Sequence, residues 1–311
     1  MGAIIITRLC GGLAVLVVVS ALAFGLQELT PGDPARLLLQ ASGLNPVPEE
    51  AVAAKRREMR LDEPLPVRYL DWLARAAQGD LGRSYRSYTP VLDLYAERLP
   101  ATATLAMLSV LLALGIALPL GALAAYYRGG FFDSLAQALV VLGGAVPGFW
   151  LALVAIYLFA ATLRWLPAFG SLTPTGIILP ATVLALHNAA LLTRLTRAAL
   201  LDVLGRDFIV VARAKGVPGP TIARRHVLPN VLTPILTVVG LEVAGLMTGA
   251  AVVEYVFAWP GIGKLAVDAA LIGDIPIIVG FAMLAGLVFV VLNIIVDIGV
   301  AALDPRLRST G

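Results

Sequence analysis

The 311-residue chain is 59% hydrophobic and 14% charged, with a mean hydropathy of +0.90 and a formal net charge of +3. That balance lies well outside the range of soluble globular domains and excludes water as the main solvent of the chain. The single cysteine, Cys10, excludes an internal disulfide and any Cys-based metal cluster.

Taken in chain order, the first apolar run covers residues 9–27. A signal peptide is the competing reading, since Arg8 precedes the run and Ala21-Leu22-Ala23 resembles a cleavage site. The run exceeds the roughly 7 to 15 apolar residues of such segments, so a retained helix is expected. Residues 30–100 follow, with ten basic residues against ten acidic ones. They read as a small helical cap: residues 49–60 are charged and helix-forming, residues 67–77 space Leu70, Leu73 and Ala77 at helical intervals, and Pro and Gly punctuate the rest.

Uncharged runs then cover residues 99–127, 134–163, 165–193 and 275–296, and a further run at 226–257 carries only Glu242 and Glu254. About 20 apolar residues suffice to cross the hydrocarbon of a bilayer. The run at 165–193 contains Pro167, Pro174 and Pro180, so its helix is placed from near Gly176 to Leu192. Six transmembrane helices are therefore predicted, and the fold class is an all-α polytopic membrane protein. The organisation expected is residues 1–29 as N-terminus and first helix, 30–100 as external cap, and 101–311 as the membrane core with a loop at 194–229.

Orientation follows from the short loops. The connection between the fourth and fifth spans carries Arg194, Arg197, Arg206, Arg213, Lys215, Arg224 and Arg225 against Asp202 and Asp207. The short loops of the other side offer only Arg164 and Lys264. Positive charge stays inside, so this loop, both termini, and Arg8, Arg128, Arg306 and Arg308 are expected to be cytoplasmic.

The basic loop holds the most informative segment, Asp207-Phe208-Ile209-Val210-Val211-Ala212-Arg213-Ala214-Lys215-Gly216, with Leu228-Pro229 downstream. It reads as two short helices hinged at Gly216, with small Ala212 and Ala214 permitting close approach; such a unit is too small to fold alone and invites a partner. An ordinary basic loop that anchors orientation explains the same residues, and on physics alone the two readings stand level.

The segment resembles the cytoplasmic coupling motif of binding-protein-dependent ABC importer permeases, in which Glu-Ala-Ala, three residues, Gly and a later Leu-Pro recur. Ala212, Gly216, Leu228 and Pro229 fall on that pattern, and Val210 stands at the position of its glutamate. The Ala212-to-Gly216 core is most similar to the dipeptide, oligopeptide and nickel branch. Other matching segments run along nearly the whole chain: Pro31-Gly32-Asp33-Pro34, Leu61-Asp62-Glu63-Pro64-Leu65-Pro66, Gly79-Asp80-Leu81-Gly82, Leu99-Pro100-Ala101-Thr102, Phe257-Ala258-Trp259-Pro260-Gly261-Ile262-Gly263 and Leu303-Asp304-Pro305-Arg306.

The resemblance implies a type I importer permease fold in the bacterial inner membrane. It implies a homologous second permease, two ATPase subunits and an external solute-binding protein as partners, with lipid around them and no nucleic acid. Asp207, Ala212, Arg213, Ala214, Lys215, Gly216, Leu228 and Pro229 become the ATPase-docking and coupling residues. The chain itself is expected to be no enzyme and to hold no cofactor, with ATP and Mg on the partner ATPases. Its nearest approach to a phosphate loop, Gly261-Ile262-Gly263-Lys264-Leu265, has Ala258 and Leu265 where Gly and Ser or Thr are needed. A helix-capping turn with an interfacial tryptophan at 259 is expected there instead.

Ionisable groups within spans are costly and mark function by default. Glu242, Glu254, Asn293 and Asp297 are the candidates for a translocation path, each against the alternative of satisfaction by neighbouring helices; Asp297 leans structural. His187 and His226 cannot form a metal site with each other, and no metal site is expected. The cargo is a small peptide, glutathione, or nickel and its chelates, with a slight lean to nickel from residues 164–170 and 257–261. An ion-coupled secondary transporter is the alternative function, but it calls for inverted repeats or paired broken helices, and none is visible in the sequence.

Overall fold

In a computed structural model, residues 2–29 and 32–303 are described. The segment Leu303-Asp304-Pro305-Arg306, together with Arg308, Thr30 and Pro31, falls wholly or partly outside those residues. The chain opens with α1 (Gly2–Leu29) and a cap of three short helices, α2 (Pro34–Ala41), α3 (Glu49–Glu58) and α4 (Leu65–Ala77). Helix α2 starts where the Asp33 side chain accepts the Ala35 N–H at 3.0 Å, with Pro34 in the first turn. Helix α3 places Glu49 and Glu50 in its first turn and Lys55, Arg56 and Arg57 in its last, the order the helix dipole favours.

The cap is anchored to α1 from its own membrane end. Arg68 grips the Glu28 carboxylate with two bonds of 2.7 and 2.6 Å. Tyr69 meets the Ser20 hydroxyl at 2.7 Å, and Phe24, Tyr69 and Trp72 pack as an aromatic triplet. Helix α5 begins at Val91, ahead of the apolar run, and extends to Tyr126 with Pro100 and Pro119 inside it. Tyr95 on that early stretch donates to the Ile277 carbonyl at 2.7 Å, and Asp274 accepts from Ser84 Oγ and the Tyr85 N–H. These long-range bonds hold the 84–95 stretch against the start of the last helix.

The third apolar run is not one straight helix. It divides into α6 (Phe131–Ala145) and α7 (Gly148–Ala155), the latter continued by a π-helical stretch at Ile156–Thr162, and the two arms are bent by 104°. Pro147 lacks an N–H and disfavours helical backbone at Val146, which is extended (ψ 119°). The fourth helix, α8 (Ile178–Leu204), continues three turns past its expected end, so Arg194 and Arg197 are helical and not loop cations. Arg197 is fixed there by Asp133 of α6, with bonds of 2.7 and 3.0 Å.

After α8 come α9 (Asp207–Ala214), α10 (Gly219–Ile222), a π-helical turn at Ala223–Val227, and α11 (Leu228–Gly249). The last three form a single membrane-length helix from Gly219 to Met247. Helices α12 (Ala251–Val256) and α13 (Ile262–Ile272) lead to the final span, α14 (Ile275–Leu303). Among the described residues, five helices are long and apolar enough to cross a bilayer, six when the bent pair is taken as one span.

The core lies where α5, α7, α8, α11 and α12 meet, around Leu105, Val183, Leu246, Phe257 and Trp259. Trp259 is fully enclosed, and its indole N–H donates to the Ala101 carbonyl at 3.0 Å. The expected interfacial tryptophan is thus a core residue, since its one polar atom finds a buried partner. The capping turn itself is present. Glu254 accepts the first-turn N–H groups of α13 from Gly263 at 2.8 Å and Lys264 at 3.0 Å, and it accepts the Thr102 hydroxyl at 2.6 Å.

Candidate functional site

Two regions carry the candidate residues. The first is the α8–α11 connection. Helix α9 opens with Asp207 in its first turn and closes in a Schellman motif: the Val217 N–H reaches the Ala212 carbonyl at 3.1 Å, and the Gly216 N–H reaches Arg213 at 2.9 Å. Gly216 has φ +73°, the left-handed conformation glycine enters without a Cβ penalty.

One face of α9 turns inward. Ile209 and Ala212 are buried against Val203, Ile222, Val227 and Val231 of the chain's own core. Ala212 is therefore small so that α9 can lie close on this chain. The opposite face leaves Phe208, Val210 and Val211 exposed at 38%, 58% and 50%, beside exposed Arg213, Ala214 and Lys215. Val210 and Val211 carry no charge to interrupt that patch.

Downstream of Gly216 the structure differs from two separate helices. Leu228 and Pro229 sit within the continuous helix, just after the π-helical turn. Pro229 has no N–H to donate, and the widened turn before it absorbs the lost register. Leu228 is 50% exposed and faces away from the core.

The second region is a cavity of about 360 Å³ between the bend of α6 and α7, α8, and the α11–α12 junction. Glu242, two turns before the end of α11, lines it together with His187, Asn188 and Gly148. His187 Nδ1 lies 3.0 Å from the Gly143 carbonyl, which can only accept, so Nδ1 carries the proton. That bond ties the last turn of α6 to α8.

The three path candidates whose side chains are described are not brought together. Glu242 opens on the cavity. Glu254 is completely buried and engaged by three donors. Asn293 bonds back to the Phe289 carbonyl at 2.8 Å and lines a separate groove, with Gly11 and Gly12, between α1 and α14. The side chain of Asp297 lies outside the described residues. The sequence reading did not single out Asn188, which is 3% exposed and whose amide nitrogen has no partner among the described residues. An isolated Asn in an apolar run was its only signal.

With this geometry in place, the relationship to known proteins is direct. Residues 117–309 match the family of binding-protein-dependent transport system inner membrane components, and residues 1–106 match its N-terminal membrane component. The chain belongs to that family. It is the permease subunit of an ABC importer and a multi-pass protein of the inner membrane. The permease is 39% identical over 316 residues to a peptide transport system permease protein of Brucella abortus, covering 99% of each chain. It is 36% identical over 304 residues to the glutathione transport system permease protein GsiC of Escherichia coli, covering 98% of each.

Among solved structures, the inward-facing MetNI methionine ABC transporter matches with a TM-score of 0.56 at 20% identity, over 68% of the permease and 96% of that chain. An amino acid ABC transporter crystallised with histidines matches with a TM-score of 0.51 at 16% identity, over 69% and 94%. These likenesses place the permease in the type I importer permease fold. The secondary-transporter reading is set aside by membership of the family.

Proposed function

We infer that this permease moves short peptides, with glutathione inside the same class, from a solute-binding protein into the cytoplasm. The observation that carries the cargo class is the end-to-end similarity to a peptide permease at 39% identity, supported by the glutathione relative. Nickel is the weaker cargo, because no cluster of three or more His, Cys, Asp or Glu side chains able to hold a metal occurs among the described residues. As a permease the chain performs no chemistry of its own. A second permease, two ATPase subunits that hold ATP and Mg, and the binding protein complete the machine.

In this reading the cap of α2 to α4 faces the binding protein and both termini lie in the cytoplasm. The exposed face of α9, with Asp207, Arg213, Ala214, Lys215 and the Gly216 bend, docks on an ATPase. Leu228 and Pro229 continue that unit into span five, so a movement of α9 is delivered along one unbroken helix to Glu242. The cavity beside Glu242 opens alternately to the two sides. Glu254 holds α12 and α13 on α5 and is not a path residue in this reading, and Asn293 serves the α1–α14 contact.

The test is uptake of radiolabelled dipeptides into vesicles holding the complete importer, with the binding protein added outside and ATP inside. Peptide uptake that needs ATP and the binding protein supports the assignment. ATP-dependent uptake of nickel without any peptide uptake would overturn it.

A further inference from the structure

The cavity beside Glu242 holds two kinds of charge recognition on different elements. Glu242 on α11 supplies a half-buried carboxylate, and no Lys or Arg stands among the residues lining the cavity. On α8, Asn188 lines the same cavity and is 3% exposed, yet its amide nitrogen has no hydrogen-bond partner among the described residues. A buried donor left unmade costs about 1–3 kcal/mol, so a group of this kind calls for an explanation. The third element is the start of α7, whose Gly148 and Phe149 line the same cavity.

Helix α7 begins at the break, with Pro147 in the capping position and no side-chain cap. The Trp150 and Leu151 N–H groups bond the Pro147 carbonyl at 3.0 and 3.1 Å, which leaves the N–H groups of Gly148 and Phe149 ahead of the helical ladder at the positive pole of the dipole. Broken helices in transporters present such half-helix N-termini to anionic substrate groups. The His187–Gly143 bond and the close packing of Gly143 on Ala190 hold this break in place. The cavity therefore offers a carboxylate on α11 and, on other elements, the Asn188 amide and the first two residues of α7 at a positive helix end.

We propose that this cavity is a subsite for a small zwitterion, in which Glu242 takes the substrate's ammonium group and Asn188 with the N-terminus of α7 takes its carboxylate. The inference rests on the peptide-importer reading and adds to it that part of the selectivity resides in the permease. A volume of about 360 Å³ falls in the lower part of the range for small-ligand sites and suits a ligand of dipeptide size.

The experiment measures binding of radiolabelled dialanine, N-acetyl-dialanine and dialanine amide to the purified importer complex without its binding protein. Wild-type complex is expected to bind dialanine and to lose about tenfold or more in affinity on capping either end. Glu242→Gln should weaken dialanine binding and abolish the penalty for N-acetylation alone. Asn188→Leu replaces an unpartnered amide by an apolar group of similar size, so abundance is kept; it should reduce the penalty for amidation alone. A wild-type complex that binds no dialanine, or variants that keep both penalties, overturns the subsite. Dialanine uptake by the complete importer is measured alongside: uptake that persists while the penalties fail to move rejects the subsite and leaves the peptide reading standing. Absence of any peptide uptake rejects both.

Discussion

Thr102 on α5 and Glu254 on α12 share a hydrogen bond of 2.6 Å that closes a three-element joint. The same hydroxyl accepts the Ile262 N–H at 2.9 Å, and the same carboxylate takes the next two N–H groups of α13. A fully buried carboxylate is tolerable only when its oxygens are engaged, and here a helix N-terminus and a hydroxyl engage them. The joint also explains the glycine spacing of 257–263: a Cβ at Gly261 would collide with the Glu254 carboxylate, and one at Gly263 would stand 2.5 Å from Ala251 Cα.

The first prediction concerns that joint. Glu254→Gln removes the charge that two backbone N–H groups and the Thr102 hydroxyl engage and turns one of its acceptor atoms into a donor, so it should cost about 2 kcal/mol or more of stability. Gly261→Ala should cost a similar amount through overpacking. Thermal unfolding of the purified complex and its yield from membranes provide the measurement. Unchanged melting and yield in both variants would show that the carboxylate is not structural.

Glu242→Ala is expected to behave in the opposite way, lowering uptake several-fold more than it lowers abundance. Its carboxylate lines a cavity and caps no helix, so removing it leaves no buried donor stranded. Uptake normalised to immunoblotted protein is the readout, and normal uptake at wild-type abundance would remove Glu242 from the path.

Gly216 separates folding from coupling. Its φ of +73° disfavours a β-branched residue by about 1–2 kcal/mol, while a Cβ there would meet nothing within 4 Å of the chain. Gly216→Val should therefore insert and accumulate, yet abolish uptake and uncouple ATP hydrolysis stimulated by the loaded binding protein. Gly216→Asn, which tolerates the left-handed region, should retain much of both. Wild-type stimulated hydrolysis and uptake in Gly216→Val would reduce the loop to an orientation anchor.

Topology is testable with the native cysteine removed, since Cys10 is exposed on α1. In a Cys10→Ser background, Ser42→Cys in the cap should react with an impermeant thiol reagent added to the periplasmic face. Lys215→Cys, on the basic loop and equally exposed, should not. Thr221 is half-buried and a poorer reporter. Labelling of Lys215→Cys from outside in intact cells would invert the orientation.

The all-α membrane-spanning class, the cap helices α3 and α4, the glycine end of α9 and the family resemblance were legible in the sequence. Each rests on local chemistry: apolar length against bilayer thickness, charge order along a helix, and a residue type suited to one backbone conformation. What faces what is not local. The sequence could not tell that Ala212 packs on its own core while Val210 faces outward, that Trp259 is enclosed, or that Arg197 on α8 pairs with Asp133 on α6. The 104° break at Pro147 and the cavity it opens toward Glu242 and Asn188 were decided only by tertiary structure. In a membrane nearly every helix face is apolar, so hydropathy cannot distinguish a lipid-facing side from a buried one. Only the packing of helices against one another assigns each polar group a partner or leaves it free for a ligand.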